Sequence, residues 1–548
     1  MRQWWVRCGV AATLVAAALG AGAQGERFDI VRFEVDGNTL LGPAEIDRLV
    51  GPLTGQGRAY GDIQRAVDAL QQAYAKAGYT MVKVSVPEQE LTGGIVRLKV
   101  VQPVIGAVAV TGNNRFSTDN ILASLPQLQP GRVPDLRAIS ESVQLANDNP
   151  AKHIGVSLAE GATPGTLDAK VAVTDNNPLR IIATLDNTGT PASGRWRTGV
   201  ALQHANLFDR DQVGTLAYTT SPDSPSGMRL ELYSLGYRIP LYRLGDSIDF
   251  VYGKSSANSP ASSPTLGGVL GFTGKGDIYG LRWNHFLGRS GEYSAKLVLG
   301  IDRKRIDSRC NIGGEDVSIA PPTPPIASCV PYTTAPLSLT YIGQREGVGE
   351  TLGYSVGISR NLASGTRYTN VDGRTDRYSY LTPGNRDTHD GFVVLHGAAS
   401  WFKGLAGDWQ VRLNGSAQYA RTPLVSSEQF GLTGLSLVRG FQERAVVADS
   451  GAIVNAELYT PELAGGAGIP GQLRALVFYD AGYGANSRVA GTAVPRHVTV
   501  SSMGVGARYA WSRDFNLRLD IARVNDAGNS LTEKRGDWRA HLSAMLAF

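Results

Sequence analysis

Cysteine is nearly missing from this chain: 3 residues in 548. At most one disulfide can therefore form. Charge is scarce too, with Asp, Glu, Lys and Arg making up 18 % of the sequence. Past residue 25 there is no run of about 18 apolar residues, so no helix drawn from that stretch can cross a bilayer. Spanning by strands survives this exclusion. Alternation hides lipid-facing side chains and leaves the mean hydropathy near neutral, here −0.12. The formal net charge of +5 is small, and the Lys and Arg residues are scattered, which removes any warrant for nucleic-acid binding. Against these shortages stand 66 glycines, which argue against a helical protein, and 42 % hydrophobic residues, ample for a core and too many for a disordered chain. Length favours more than one domain.

The first residues read as a targeting segment. Met1 to Arg7 is short and basic, Cys8 to Leu19 is apolar and Ala-rich, and Ala21-Gly22-Ala23 is a small-residue cleavage site. Residues 1–23 are expected to be a secretory signal peptide, with the mature chain starting at Gln24. Cys8 leaves with it. Cys310 and Cys329 remain, in a segment that also carries Pro321-Pro322 and Pro324-Pro325. An oxidising compartment favours a loop disulfide between them; a metal or redox site would want Cys-x-x-Cys or a nearby His.

Next comes a repeat. Val35-Asp36-Gly37-Asn38-Thr39 returns as Val110-Thr111-Gly112-Asn113-Asn114, 75 residues later. Each copy begins with a strand (Ile30 to Val35; Val104 to Val110) and a Gly-Asn turn. A short helix follows (Ala44 to Val50; Thr118 to Leu125), then a longer one (Asp62 to Ala77; Asp135 to Ala146) and two strands (Thr80 to Val86 and Ile95 to Val101; His153 to Leu158 and Leu167 to Val173). The fold expected for residues 24–101 and again for 102–176 is therefore an α+β module of βααββ order.

From about Pro178 the helical period gives way to period-two alternation. Trp538, Ala540, Leu542, Ala544, Leu546 and Phe548 share one face, while Arg539, His541 and Ser543 share the other. Val411, Leu413, Ala417 and Tyr419 oppose Gln410, Arg412, Asn414, Ser416 and Gln418, and Phe515, Leu517, Leu519 and Ile521 oppose Asn516, Arg518 and Asp520. Such segments start near residues 179, 195, 211, 228, 246, 276, 292, 337, 349, 391, 408, 451, 472, 499, 514 and 537. Sixteen is an even number, as closure of a bacterial barrel asks, and the intervening gaps alternate between short and long. Residues 177–548 are thus expected to form a transmembrane β-barrel of 16 antiparallel strands. Its short turns and the amino-terminal modules face the periplasm. A soluble sandwich or propeller also alternates, but does not predict loops of unequal length on two rims.

Leu437-Val438-Arg439-Gly440-Phe441 lies in the long gap after the eleventh segment, and Phe478-Tyr479-Asp480-Ala481-Gly482 lies on the thirteenth. With the paired repeats and the barrel, these resemble the two-partner-secretion (type Vb) transporters, the TpsB proteins of the ShlB-FhaC-HecB haemolysin secretion/activation type within the POTRA-barrel superfamily. The resemblance covers nearly all of the mature chain. It implies two polypeptide-transport-associated (POTRA) domains that capture an unfolded, secreted TpsA-type exoprotein, and a barrel that conducts it across the outer membrane. It also implies that Val438, Arg439, Gly440 and Phe441 sit at the tip of a loop, residues 421–450, folded back into the lumen, where Arg439 pairs with Asp480. Alternation agrees: Leu473, Ala475, Val477 and Tyr479 form the apolar face, which turns Arg474 and Asp480 inward. Arg suits a bidentate carboxylate clamp, and Gly440 permits a tight turn beside it. Glu457 also faces inward and either joins this network or is a solvated lumen carboxylate. Phe548 resembles the terminal aromatic read by barrel assembly machinery. One departure stands out: the first strand follows closely behind Gln24, leaving no room for the plug helix of the family's best-known member, so closure would fall to the inward loop.

Catalytic constellations are missing as well. There is no His-Glu-x-x-His, Gly-x-Ser-x-Gly or Gly-Lys-Ser/Thr, and the seven His residues lack metal-ligand spacing. Gly466-Ala467-Gly468-Ile469-Pro470-Gly471 fits a dinucleotide fingerprint only formally, since it joins two strands and has Pro where a helix should open. The expected protein is a monomeric exporter needing no cofactor or metal, whose partners are the exoprotein, outer-membrane lipid and, during biogenesis, the assembly machinery. The rival readings are a factor that inserts other barrels and a passive porin for small solutes.

Overall fold

The computed structural model describes residues 27–191, 193–223, 230–256, 261–262, 271–272, 275–307, 311–312, 315–316, 330–369 and 373–548. The expected signal peptide and the Cys310–Cys329 disulfide lie outside these residues. No helix among the described residues is long and apolar enough to cross a membrane.

The first repeat folds as β1 (Phe28–Ile30), β2 (Arg32–Asp36), α1 (Pro43–Val50), β3 (Gly55–Arg58), α2 (Tyr60–Lys76), β4 (Lys83–Ser85) and β5 (Ile95–Val101). Its main sheet has the order β2-β5-β4, with β2 parallel and β4 antiparallel to β5. Helix α2 buries Ile63, Ala66, Val67, Leu70 and Tyr74, the helical-period face, in one core with Val96, Leu98 and Val100 of β5. The Gly-Asn turn has a specific cause. Gly37 has φ +81, and a Cβ there would stand 2.4 Å from the Val100 carbonyl oxygen, while Asn38 Oδ1 accepts from Leu40 N, Leu41 N and Tyr74 Oη. The second repeat supplies β6 (Val104–Thr111), α3 (Thr118–Ala123), α4 (Leu136–Asn147), β7 (Lys152–Glu160) and β8 (Thr166–Asp175), in a sheet of order β6-β8-β7. Gly112 repeats the constraint, with φ +86 and a hypothetical Cβ 2.3 Å from Val173 O. The small β1–β3 pairing has no counterpart in the sequence reading, because β3 is Gly-Gln-Gly-Arg and carries no hydrophobic period.

Compactness divides the chain inside the second repeat: residues 110–126, 140–156 and 171–548 form one unit, and the remainder forms the other. Within the larger unit, Lys152 and Asp211 make a fully buried ion pair, and Asn149 Nδ2 donates to Ala205 O at 2.7 Å.

The rest is a closed antiparallel barrel. Among the described residues it has sixteen long strands: β9 (Leu179–Asp186), β10 (Arg197–Leu207), β11 (Gln212–Thr220), β12 (Glu231–Leu241), β13 (Asp246–Ser255), β14 (Gly276–Ser290), β15 (Tyr293–Ile306), β16 (Pro336–Gly347), β17 (Glu350–Asn361), β18 (Val393–Gly404), β19 (Gln410–Ala420), β20 (Ser450–Tyr459), β21 (Gln472–Ala485), β22 (His497–Trp511), β23 (Phe515–Asp526) and β24 (Trp538–Ala547). Each begins within three residues of its sequence-predicted start. Period-two alternation is thus enough to locate strands whose two faces meet lipid and water. One rim carries short turns such as 208–211, 291–292 and 348–349; the other carries long loops, including 362–392 and 421–449. The barrel closes where Ser543–Ala547 of β24 pairs with Ile182–Asp186 of β9. The Asn187 side chain prolongs that seam, bonding Ala540 O and Leu542 N.

Candidate functional site

Strands β19 and β20 are joined by residues 421–449, and this loop turns inward. Its tip contacts inward-facing residues of β20 to β24, while Glu428 on its entering limb accepts from Lys304 of β15 at 3.1 Å. The lumen wall here departs from simple polarity: Ile453, Val498, Val500 and Val524 point in, and with Leu432, Val438, Phe441 and Val446 of the loop they make a buried apolar cluster. Val438 and Phe441 have no solvent exposure. Burying each such side chain is worth about 1.5–3 kcal/mol, so the loop has a core of its own against the wall.

The wall also makes room. A Cβ at Gly482 would lie 3.2 Å from Val438 Cγ2, and one at Gly484 would lie 2.8 Å from Ala448 Cβ and Leu432 Cδ1. At the tip, Gly440 has φ +96, and a Cβ there would meet Ala522 Cβ and Val524 Cγ2 at 3.3 Å. The backbone N–H of Gly440 donates to His541 Nε2 at 2.8 Å.

Arg439 is 1 % exposed. Its Nε donates to Asp480 Oδ2 and its Nη2 to Asp480 Oδ1, both at 2.7 Å, a two-pronged fork on one carboxylate. The Arg439 backbone N–H adds a third bond to Asp480 Oδ2 at 3.1 Å. Among the described residues, Arg439 supplies every donor recorded for Asp480. On the other side of the guanidinium, Nη1 reaches Glu457 Oε1 at 2.7 Å and Asp520 Oδ1 at 3.3 Å. Its face lies 3.5 Å from the centroid of Phe478, a close cation–π contact. Phe478 is itself set by Gly504, whose Cβ would stand 2.6 Å from Phe478 Cζ and 2.0 Å from Ile521 O.

Two more arginines complete the cluster. Arg508 Nη1 lies 2.9 Å from Asp520 Oδ1, and Arg518 Nε donates to Asp520 Oδ2 at 2.6 Å. Arg518 Nη2 also caps the Leu435 carbonyl of the loop at 2.8 Å. Three guanidinium groups therefore face the three carboxylates Glu457, Asp480 and Asp520, and the charges balance. Tyr459 Oη donates to the second oxygen of Glu457 at 2.6 Å.

The structure brings Arg439, Glu457 and Asp480 together, with Val438, Gly440 and Phe441 beside them. Phe548 lies elsewhere: its side chain is exposed at the short-turn rim, and its backbone pairs with Ile181. The sequence reading did not single out Arg508, Arg518, Asp520 and His541 as partners. All except Arg508 were placed on a polar face by alternation, but alternation carries no information about which lumenal groups meet. The alternate glycines 482/484 and 504/506 were a further available signal, since Gly in a strand interior marks a close approach of other chain.

The chain matches the family model of the haemolysin secretion/activation proteins ShlB/FhaC/HecB over residues 165–509, and the ShlB-type POTRA domain over residues 28–102. It is 23 % identical to the outer membrane transporter CdiB of Escherichia coli O6:K15:H31 over 287 residues, 52 % of this chain and 48 % of that protein. That match spans about half of the relative's length. The heme/hemopexin transporter protein HuxB of Haemophilus influenzae is 19 % identical over 535 residues, covering 94 % of this chain and 87 % of HuxB. Among solved structures, CdiB from Escherichia coli has the same fold, with a TM-score of 0.69 at 18 % identity over 98 % of this chain and 93 % of CdiB. CdiB from Acinetobacter baumannii gives 0.67 at 15 % identity over 96 % and 91 %.

Proposed function

The chain belongs to the haemolysin secretion/activation protein family ShlB/FhaC/HecB, and from that premise we propose that it exports one large exoprotein of the TpsA type through its barrel. The family's members are outer-membrane transporters, not enzymes, and this chain is an outer-membrane barrel with periplasmic POTRA sequence at its amino-terminal end.

In this reading residues 24–101 and 102–176 are two POTRA domains that bind the client's extended amino-terminal segment, adding it as a strand to an open sheet edge. The client then threads the polar lumen, and its folding outside supplies direction. The inward loop is the gate, with Arg439 as its bolt, and Phe548 is the signal by which the barrel itself was assembled. The observation that supports this most directly is the fully buried Arg439 fork on Asp480, which holds a loop across the path a client would take. A loop bound only by solvent-exposed ion pairs would gain about 0–1 kcal/mol from each, too little to hold it in place.

Deleting the gene and assaying the medium tests the proposal. Loss of a single large secreted protein, restored by the wild-type gene, supports it. Unchanged secretion with a fall in other outer-membrane proteins would instead assign the chain to barrel assembly, and sugar uptake that is indifferent to removal of residues 24–176 would assign it to passive diffusion.

A further inference from the structure

We infer that Arg386 and Asp449 form a second, exit-side latch on the inward loop, and that export requires this pair to part. The inference rests on reading residues 421–449 as the gate.

Arg386 lies in residues 373–392, a long-rim loop between β17 and β18. Asp449 is the last residue of the inward loop before β20. Their side chains have no solvent exposure. Arg386 Nη1 donates to Asp449 Oδ2 at 2.5 Å, and Nη2 reaches Oδ1 at 3.3 Å. The same guanidinium donates to Ser487 O at 2.8 Å and to its own loop at Pro383 O at 2.9 Å. Asp449 in turn accepts from Leu424 N at 3.0 Å, Gln429 Nε2 at 3.2 Å and Ser487 N at 3.0 Å.

Three long-rim loops, 362–392, 421–449 and 486–496, thus converge on one ion pair. Both limbs of the inward loop take part, the entering limb through Leu424 and Gln429 and the returning limb through Asp449. Apolar packing reinforces the junction: Tyr378 and Phe392 meet edge to face at 5.8 Å and share a buried cluster with Leu424 and Val425. Tyr378, Leu424, Val425 and Asp449 are wholly buried, so the junction between these loops is packed and dry. In the gate reading, a client that leaves past this junction parts the three loops packed there.

The chemistry suits a contact made to open. When the pair separates, Asp449 keeps Leu424 N and Gln429 Nε2 from its own loop, Arg386 keeps Pro383 O from its own, and Ser487, which bonds both, stays with one of them, so neither charge is stranded.

The test uses the full chain in planar bilayers, with heat-modifiable gel mobility reporting that each barrel has folded. Arg386→Ala should raise the open time about tenfold, the loss expected for one charge-assisted bond. Asp449→Asn, which preserves shape, should act in the same direction. Arg386→Lys, which keeps the charge and the carbonyl partners but cannot fork onto both oxygens of Asp449, should return the open time part of the way toward wild type. Arg439→Ala serves as the reference. If it opens the pore while Arg386→Ala and Asp449→Asn both keep wild-type open times, the latch is refuted and the gate stands. If none of the three opens the pore, the gate reading falls and the latch with it. Should Arg386→Ala fail to fold, Asp449→Asn decides by the same measure.

Discussion

The inward loop is held at its tip by Arg439 on Asp480 and at its base by Arg386 on Asp449, two arginine–aspartate pairs with 1 % or less side-chain exposure. Both are sealed from water, but their surroundings differ. Each donor recorded for Asp480 among the described residues belongs to Arg439, so the tip carboxylate is stranded once that residue leaves. Asp449 shares its load with two backbone N–H groups and a glutamine amide. Removing one partner of a buried pair is costly chiefly because of the charge left behind, so identical residue types can make a strong bolt in one place and a releasable catch in another.

The largest expected effect follows at the tip. Arg439→Ala should weaken loop docking by about 3–5 kcal/mol and abolish regulated export while the barrel still assembles; secreted exoprotein in the medium and pore open time read this directly. Arg439→Lys should recover only part of the loss, since an ammonium cannot fork onto both oxygens of Asp480. Gly504→Ala comes next. Its Cβ would press on Phe478 and on Ile521 O, an overpacking cost of about 1–3 kcal/mol, seen as faster hydrogen exchange at residues 437–441 without any change in charge. At the base, Arg386→Ala should cost about 1.5 kcal/mol, because Asp449 retains its neutral donors. If base and tip substitutions prove equal, the contrast between bolt and catch is wrong.

The smallest effect concerns pH. Glu443, just beyond the tip, accepts from Leu435 N at 2.6 Å, and burial pushes its carboxyl up to about 7. A raised acid favours the docked, protonated loop. The contribution is complete below the free value of 4.5 and is lost as pH rises through about 7. Between pH 6 and 8 docking should weaken by about 1 kcal/mol, and Glu443→Gln should flatten that dependence in bilayer recordings.

Much of the molecule was legible in advance where its cause is local. Strand positions followed from alternation, since each residue's face depends only on its neighbours one and two places away. The repeated Gly-Asn turns followed from Gly37 and Gly112, each set where a side chain would strike the carbonyl of a neighbouring strand. Arg439 and Asp480 were found through a family resemblance rather than through any local rule. Alternation could turn Asp520 and Arg518 inward, yet it could not say that both meet beneath Arg439.

What the sequence alone determined is therefore the strand count, the two faces of the wall and the inequality of the two rims, all consequences of short-range periodicity. What only the tertiary structure decided is which lumenal charges share a site. Arg386 and Asp449 lie 63 residues apart and Arg439 and Asp520 lie 81 apart, and they meet only because strand register and loop docking bring them together. No pattern along the chain encodes that meeting, because it depends on the closure of the barrel around its own loop.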